Sequence, residues 1–425
     1  MTPHDLWPLR WRGPLTDSAI QLVEGTPINC LVVDPSPELK AFAEKARNKG
    51  IEVHTLAGEG AVPAAPLAKL PLNSSSPILA VTECAWPRVK PSQSRNSADA
   101  GPTGAPWVDS NGWVAQLVRA RAPQKAFWLC FDPPQEAWYL RAQTYMLAVA
   151  DSASQGARWV ISFPDGFWKD YAAKKPETVD IWQKTVAAVA FFEQHKQWRE
   201  FRAAARLGIV SDFTGDNEFL SAELLNLTTR RLQPFRILDK TRPVDLAGLV
   251  CAIYADGRPP DAALLAKLKT FVEGGGLLII QPKAAAGIKG TPSKETHQRF
   301  NVVNLGKGRA AIGKEDWTDP YVVAGDAHLL MSHRNDLLWL FNQESCGLHY
   351  ATSPDGRTCL AEVFRYAARR GSGYLTLAVA EKFRAAQFYN LDSPEPKPLQ
   401  PVPTKTGVEF HLPEFSVYAA LHLGK

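Results

Sequence analysis

The sequence predicts an α/β multidomain protein built as a (β/α) barrel-like region, a doubly wound parallel α/β region and a small antiparallel β-sandwich. Three observations predict it. Strand-length apolar runs alternate with helical segments through the first half of the chain. A second, shorter βα series opens near Leu207, and the apolar period changes to two toward the C-terminus. A chain of 425 residues exceeds one ordinary core. The boundaries expected are 1–205, 206–295 and 296–425.

In the first region, INCLVVD (28–34) is a continuous apolar run, as a strand buried on both faces requires. Ser36-Pro37-Glu38 opens a helix carrying Leu39, Phe42 and Ala46 that stops at Gly50. IEVHTLA (51–57), PILAVTE (77–83), KAFWLCFD (125–132) and ARWVISFPD (157–165) read as further strands, and a sixth is expected near Leu6–Trp11. Helices are expected from about Ser110, through Trp138, Ala142, Tyr145 and Val149, and through Trp182, Val186 and Val189. A full barrel needs eight strands, so a shortened one is expected. The Pro-, Ser-, Gly- and Asn-rich stretch between Trp86 and Trp107 is longer than a routine connection, and loops of that size are commonly functional.

The second region starts with the strand LGIVSD (207–212). Leu220, Leu224 and Leu227 then share a helix face, with Asp216 as the expected N-cap. PFRIL (234–238) and LVCAIYAD (249–256) are strands; Asp261 caps a helix bearing Leu264, Leu268 and Phe271, and Gly274-Gly275-Gly276 ends it before the strand LLII (277–280). The region has no small-x-Ser/Cys-x-Gly turn after a strand, so no nucleophile is expected in it. From about Phe300 the period is two, as in Val408, Phe410, Leu412 and Phe415, Val417, Ala419, Leu421, Leu423, with turns at Gly306-Lys307-Gly308 and Pro354-Asp355-Gly356. A sandwich is expected there.

Composition excludes several functions. The content is 45% hydrophobic and 21% charged, ordinary for a globular protein, and the net charge of +5 is spread without a basic stripe, so no nucleic-acid partner is expected. No apolar stretch approaches a membrane span. MTPHDLWPLRWRG lacks the pattern of a signal peptide, so the expected protein is soluble, either cytoplasmic or exported after loss of a leader. Six cysteines show no CxxC spacing; Cys346 and Cys359 could pair across a hairpin. The nine histidines show no ligand spacing, and neither a metal nor another cofactor is expected.

Four strands of the first region end in an acid: Asp34, Glu83, Asp132 and Asp165. Carboxylates at the C-terminal mouth of a barrel are what glycoside hydrolysis uses, one as acid and one as nucleophile or base. Asp34 and Asp132 precede prolines at helix starts, where Asp serves equally as a cap. Glu83 is a poorer cap and becomes the first catalytic candidate, with Asp165 in FPDGFW the second. Trp86, Trp107, Trp113 and Trp168 lie by the mouth loops with Asp109, Asn111 and Asp132, and aromatic faces beside polar groups suit a carbohydrate ligand. Against this, Asp109 or Ser110 would cap a helix while Trp113 packs in the core.

The second region resembles a known module. LGIVSDFTGDNEFLSAELLNLTTRR, LVCAIYAD, the capped helix and FVEGGGLLII are similar to the class I glutamine amidotransferase-like domain, flavodoxin-like in architecture, that follows the TIM-like barrel of glycoside hydrolase family 42 β-galactosidases and is called their trimerisation domain. The resemblance implies a barrel, this domain and a closing β domain, in that order, with homo-oligomers held through the middle domain. The Asn-Glu pair that carries the general acid in such barrels has no counterpart at a strand end; Asn217-Glu218 has the letters but lies in the second region. The functions to weigh are a divergent glycoside hydrolase and a non-catalytic carbohydrate-binding or scaffold protein.

Overall fold

The computed structural model describes residues 2–90, 107–343, 345–368 and 374–425. Most of the long segment after Trp86, including the start of AGPTGAPWVDSNGW, lies outside the described residues.

The first region carries strands β1 (Pro8–Arg10), β2 (Cys30–Val32), β3 (Glu52–His54), β4 (Ala64–Pro66), β5 (Ile78–Thr82), the short hairpin β6 (Arg88–Val89) and β7 (Val108–Asp109), then β8 (Ala126–Leu129) and β9 (Arg158–Trp159). Helices α1 (Asp17–Val23), α2 (Leu39–Arg47), α3 (Gly112–Arg121), α4 (Ala142–Ala153), α5 (Phe167–Ala172) and α6 (Pro176–Gln194) alternate with them. The parallel ladders run β1-β2-β3 and β4-β5-β8-β9, and an isolated parallel bridge, Leu9 to Ile161, joins the two sheets. Neighbours therefore follow chain order and the last strand returns to the first, which is the winding of a (β/α) barrel. No closed barrel forms: between β3 and β4 there is no ladder among the described residues, only the Val62 amide donating to Thr55 O at 2.9 Å. The strand near Leu6–Trp11 is present, and Ala64–Pro66 adds one that its Ala-Pro composition concealed.

Alternate residues along these strands face opposite ways. Cys30, Val32, Ala80, Trp128 and Val160 make one small cluster, whereas Leu31, Leu79, Leu129, Trp159 and Ile161 join the larger core under the helices. That larger core also takes Phe364, Tyr366 and Tyr418 from the C-terminal region.

After β10 (Arg202–Ala203), the second region holds β11 (Leu207–Ser211), α7 (Glu218–Arg230), β12 (Phe235–Asp239), β13 (Cys251–Tyr254), α8 (Ala262–Glu273), β14 (Leu277–Ile280), β15 (Thr291–Pro292), β16 (Phe300–Leu305), β17 (Gly308–Gly313) and α9 (Pro320–Met331). Its sheet runs β12-β11-β13-β14-β17-β16-β15, parallel through β17. This is the order of a doubly wound unit, with its switch point between β11 and β13. Helices α7 and α9 cover one face and α8 the other. The change of period at Phe300 does not open the sandwich, because β16 and β17 continue this sheet and α9 follows. Period two marks a strand with one solvated face, and a sheet edge meets that condition as well as a sandwich does. Asp216 is not the N-cap: a 3-10 turn, Gly215–Asn217, precedes α7 and puts Asn217 at the cap, while Asp216 pairs with Arg258 at 3.2 Å.

The FVEGGG element has a packing reason. Gly275 has φ +120°, and a Cβ on Gly276 would meet the Phe271 ring at 2.3 Å, so the chain leaves α8 and enters β14 only without side chains there. Asp261 caps α8, its Oδ1 accepting from the Leu264 amide at 2.8 Å.

The C-terminal region packs a sheet in the order β10-β19-β20-β26-β22-β23 against one in the order β18-β21-β25-β24. The members not yet placed are β18 (Leu338–Phe341), β19 (Cys346–Thr352), β20 (Thr358–Arg365), β21 (Thr376–Val379), β22 (Ala385–Asn390), β23 (Lys397–Leu399), β24 (Val402–Pro403), β25 (Val408–His411) and β26 (Tyr418–Gly424). Val363, Leu377, Phe388, Phe410 and Leu421 fill the space between. Cys346 and Cys359 do not pair. Cys346 stands opposite Arg365 and Cys359 opposite Thr352, at opposite ends of the β19–β20 hairpin. No described helix is long and apolar enough to cross a membrane.

Candidate functional site

The C-terminal end of β5 and the start of α3 meet α7 around a cavity of about 270 Å³. Glu83, Asp109, Asn111, Trp113 and Arg230 are on its wall. Glu83 follows β5 directly with φ +63°, a backbone state uncommon outside Gly and one that turns the chain sharply off the sheet. Asp109, on β7, sits 3.8 Å from both Arg88 Nε and Arg230 Nη2. Burial pushes its carboxyl above the usual range, against the pull of Arg230, Lys90 and Arg88.

Arg230 organises this site. Its Nε donates to Asn226 Oδ1 at 3.0 Å and its guanidinium lies 3.7 Å over the Trp107 ring. Burial lowers its pKa to about 10. Nη1 of Arg230 and Nε and Nη1 of Arg88 are buried without a hydrogen-bond acceptor among the described residues. Such groups are costly to leave unmatched, and a hydroxyl- or carboxylate-bearing ligand would satisfy them.

A second, larger space adjoins the first. A groove of about 1270 Å³ runs where the three regions meet, and Trp107, Ser110 and Arg230 form its wall at the barrel end. Arg230 thus lines both spaces. Arg231 stacks 5.1 Å over Tyr321 farther along, and Trp339 lines the far part. Nothing local in the sequence marks Arg230 or Arg231 as functional. Arg230-Arg231 reads there as a solvated pair, and only the docking of α7 against the barrel mouth buries Arg230.

The remaining residues expected at the site are placed as follows. Trp86 is 6% exposed and stands edge-on to Phe131, Tyr145 and Trp159 at 5.3 to 5.9 Å, inside the core. Asn111, though on the cavity wall, is 1% exposed: its Oδ1 accepts from the Ala85 amide at 3.0 Å, and its Nδ2 donates to Ala85 O at 2.8 Å and Asp151 Oδ2 at 3.0 Å. It therefore clamps the turn after β5 to α4. Trp113 packs partly into the cores on both sides of α3. Asp132 pairs with Arg12 at 3.0 Å and Asp34 with Arg10 at 2.5 Å, so Arg10 at the end of β1 and Arg12 just beyond it neutralise them. Asp165 is exposed and is not on the cavity wall with Glu83. Trp168 packs edge-on to Phe163 and Trp182 and tilted against Trp11, with ring centroids 5.1 to 5.6 Å apart.

No family model matches the chain, and no curated protein matches it in sequence. Solved structures do match in shape. A β-galactosidase from Bacillus circulans sp. alkalophilus aligns over 100% of this chain and 99% of its own, with TM-score 0.53 and 9% identity. Alpha-L-fucosidase isoenzyme 2 from Paenibacillus thiaminolyticus aligns over 96% of this chain and 80% of its own, with TM-score 0.52 and 11% identity. A catalytic mutant of Gan42B, a GH42 β-galactosidase from G. stearothermophilus, aligns over 91% and 66%, with TM-score 0.50 and 11% identity. The chain spans 56% of Gan42B itself in a further alignment. At these identities the likeness is one of fold, and the fold is glycoside-hydrolase-like, similar to that of the GH42 β-galactosidases.

Proposed function

We propose that the protein binds a carbohydrate where the barrel-mouth cavity meets the groove, on a glycoside-hydrolase-like frame. One observation carries this reading: the buried, unmatched guanidinium N–H of Arg230 stands between two adjoining spaces, beside Asp109 and against Trp107. Hydroxyl groups accept from such donors and donate to such carboxylates, while apolar sugar faces suit indole rings. Glycoside hydrolases among the solved structures of similar fold support a sugar as the ligand class.

A second reading, hydrolysis of a glycoside, is favoured by two carboxyl groups on one cavity wall. Asp109, its proton held more tightly by burial, suits the acid, and Glu83 suits the nucleophile or base. Asp165, the partner expected from its place at a strand end, would need a substrate that reaches beyond this wall. Assembly through the second region, as in the family the sequence resembles, is a separate proposal; a strict monomer by light scattering would end it.

The test is a glycan-binding screen with the full chain, followed by calorimetry on Trp107→Ala and Arg230→Met and by turnover of chromogenic glycosides. Saturable binding that drops about tenfold or more in both variants supports recognition at this site. Binding that neither variant changes would sink it. Turnover abolished by Glu83→Gln establishes hydrolysis, and turnover that survives the change removes Glu83 from the mechanism.

A further inference from the structure

The far end of the groove holds a cluster that spacing along the chain concealed. His328 lies in the last turn of α9, His333 begins a 3-10 turn, His333–Asn335, and Asp336 follows it. Between them Ser332 takes φ +68° and reverses the chain. The turn is held by the Asn335 side chain donating to Met331 O at 2.7 Å, and by the Arg206 guanidinium donating to the carbonyls of Asn335 and Asp336. His328 Nε2 then lies 3.0 and 3.1 Å from the two Asp336 oxygens, and His333 Nδ1 lies 3.0 Å from Oδ2. One ligand atom from each residue falls within 4.8 Å of the others.

We infer that His328, His333 and Asp336 bind a divalent transition-metal ion of the zinc class. Two imidazole nitrogens and one carboxylate oxygen are borderline ligands that suit Zn²⁺. Metal–ligand bonds of about 2.0–2.2 Å in a tetrahedral site hold ligand atoms about 3.3 Å apart. The His328–Asp336 and His333–Asp336 separations are close to that, and all three ligand atoms lie within 4.8 Å of one another, so a modest closure of the two imidazoles brings them onto one ion. The Asp336 side chain is 8% exposed, yet no Lys or Arg side chain pairs with its carboxylate among the described residues. A carboxylate so enclosed calls for a compensating positive charge, and a bound dication supplies it. Trp339 packs against His333, ring centroids 5.0 Å apart, and limits its rotation. All three ligands line the groove, and His333 is 56% exposed, so the fourth coordination position opens toward the groove, free for water or a ligand oxygen.

The experiment uses the full chain, stripped of metal with a chelator, dialysed and titrated with Zn²⁺ by calorimetry and with Co²⁺ by visible absorption. One equivalent is expected to bind, and Co²⁺ is expected to give the intense ligand-field bands of a low-coordinate N/O site. His333→Ala, at an exposed position that leaves the fold intact, is expected to weaken binding by at least about tenfold, and Asp336→Asn likewise. Failure to bind one equivalent overturns the site. So does full-strength binding in His333→Ala, which would locate the ion elsewhere.

Discussion

Tyr366 donates its hydroxyl to Asp151 Oδ1 at 2.7 Å, tying the residue after β20 to the last turn of α4 across 215 residues of chain. The other oxygen, Oδ2, accepts from the Asn111 amide at 2.8 Å and from Asn111 Nδ2 at 3.0 Å. One buried carboxyl thus fastens the sandwich, the turn after β5 and the barrel helices together. Burial outweighs these three bonds and raises the Asp151 pKa from 3.8 to about 6.

The raised pKa sets a pH dependence. The folded state holds this proton more tightly than the unfolded chain, so the associated stability is fully present below about pH 4. It is lost as pH rises through about 6. The loss amounts to roughly 3 kcal/mol, the free energy that separates those two pKa values. Asp151→Asn keeps an acceptor for Asn111 and leaves Tyr366 a partner, and is expected to gain stability relative to the native chain between pH 4 and 6. Urea midpoints of the two proteins across that range check it, and parallel curves would refute it.

Two tryptophans of the expected sugar site should behave oppositely. Trp86→Ala removes the centre of the Phe131, Tyr145 and Trp159 cluster and should cost about 3–5 kcal/mol of stability. Trp107→Ala should cost about 1 kcal/mol, chiefly its contact with Arg230, while weakening ligand binding. Thermal unfolding of both variants alongside sugar titration separates the roles.

Lys240 lies between two carboxylates at the switch point of the second region, 3.2 Å from Asp212 Oδ2 and bonded to Asp256, whose side chain has no exposure. Lys240→Met strands the buried Asp256 charge and should cost about 3 kcal/mol at neutral pH. The lysine pKa is raised from 10.5 by its bonds to Asp256 and Asp212, against the opposing effect of burial. Its contribution is therefore complete below 10.5 and fades as pH climbs through the raised value. The stability gap between native and variant should narrow in strong alkali, as denaturant titration would show.

In the sandwich, Glu362 is 1% exposed and accepts from Tyr418 OH at 2.5 Å, with His349 Nδ1 2.6 Å from its other oxygen. Glu362→Ala leaves both partners unmatched and should cost about 3 kcal/mol or more, whereas Tyr418→Phe should cost about 1 kcal/mol. Equal unfolding temperatures for the two variants would contradict the network.

The elements that periodicity marks were legible from the chain alone: β2, α2, β5, β8, α8 and β25 stand where apolar spacing, caps and glycines required them. These signals are local, because burial on one face or two writes a period of 3.6, two or none into consecutive residues. The acids at the strand ends were legible for the same reason. What local signals do not carry is the partner of each residue. Arg10 ends β1 and Arg12 follows two residues on, and only the winding of the sheet sets them against Asp34 and Asp132. Trp86 reads as a mouth residue until Trp159 and Tyr145 enclose it. Arg230 is a surface residue of an amphipathic helix until α7 docks beside Trp107, and His328, His333 and Asp336 meet only because Ser332 turns left-handed. By itself, then, the sequence determined which segments fold into strands and helices. Tertiary packing decided which charges are neutralised and which stay buried and unmatched, because desolvation and pairing depend on neighbours brought from distant parts of the chain.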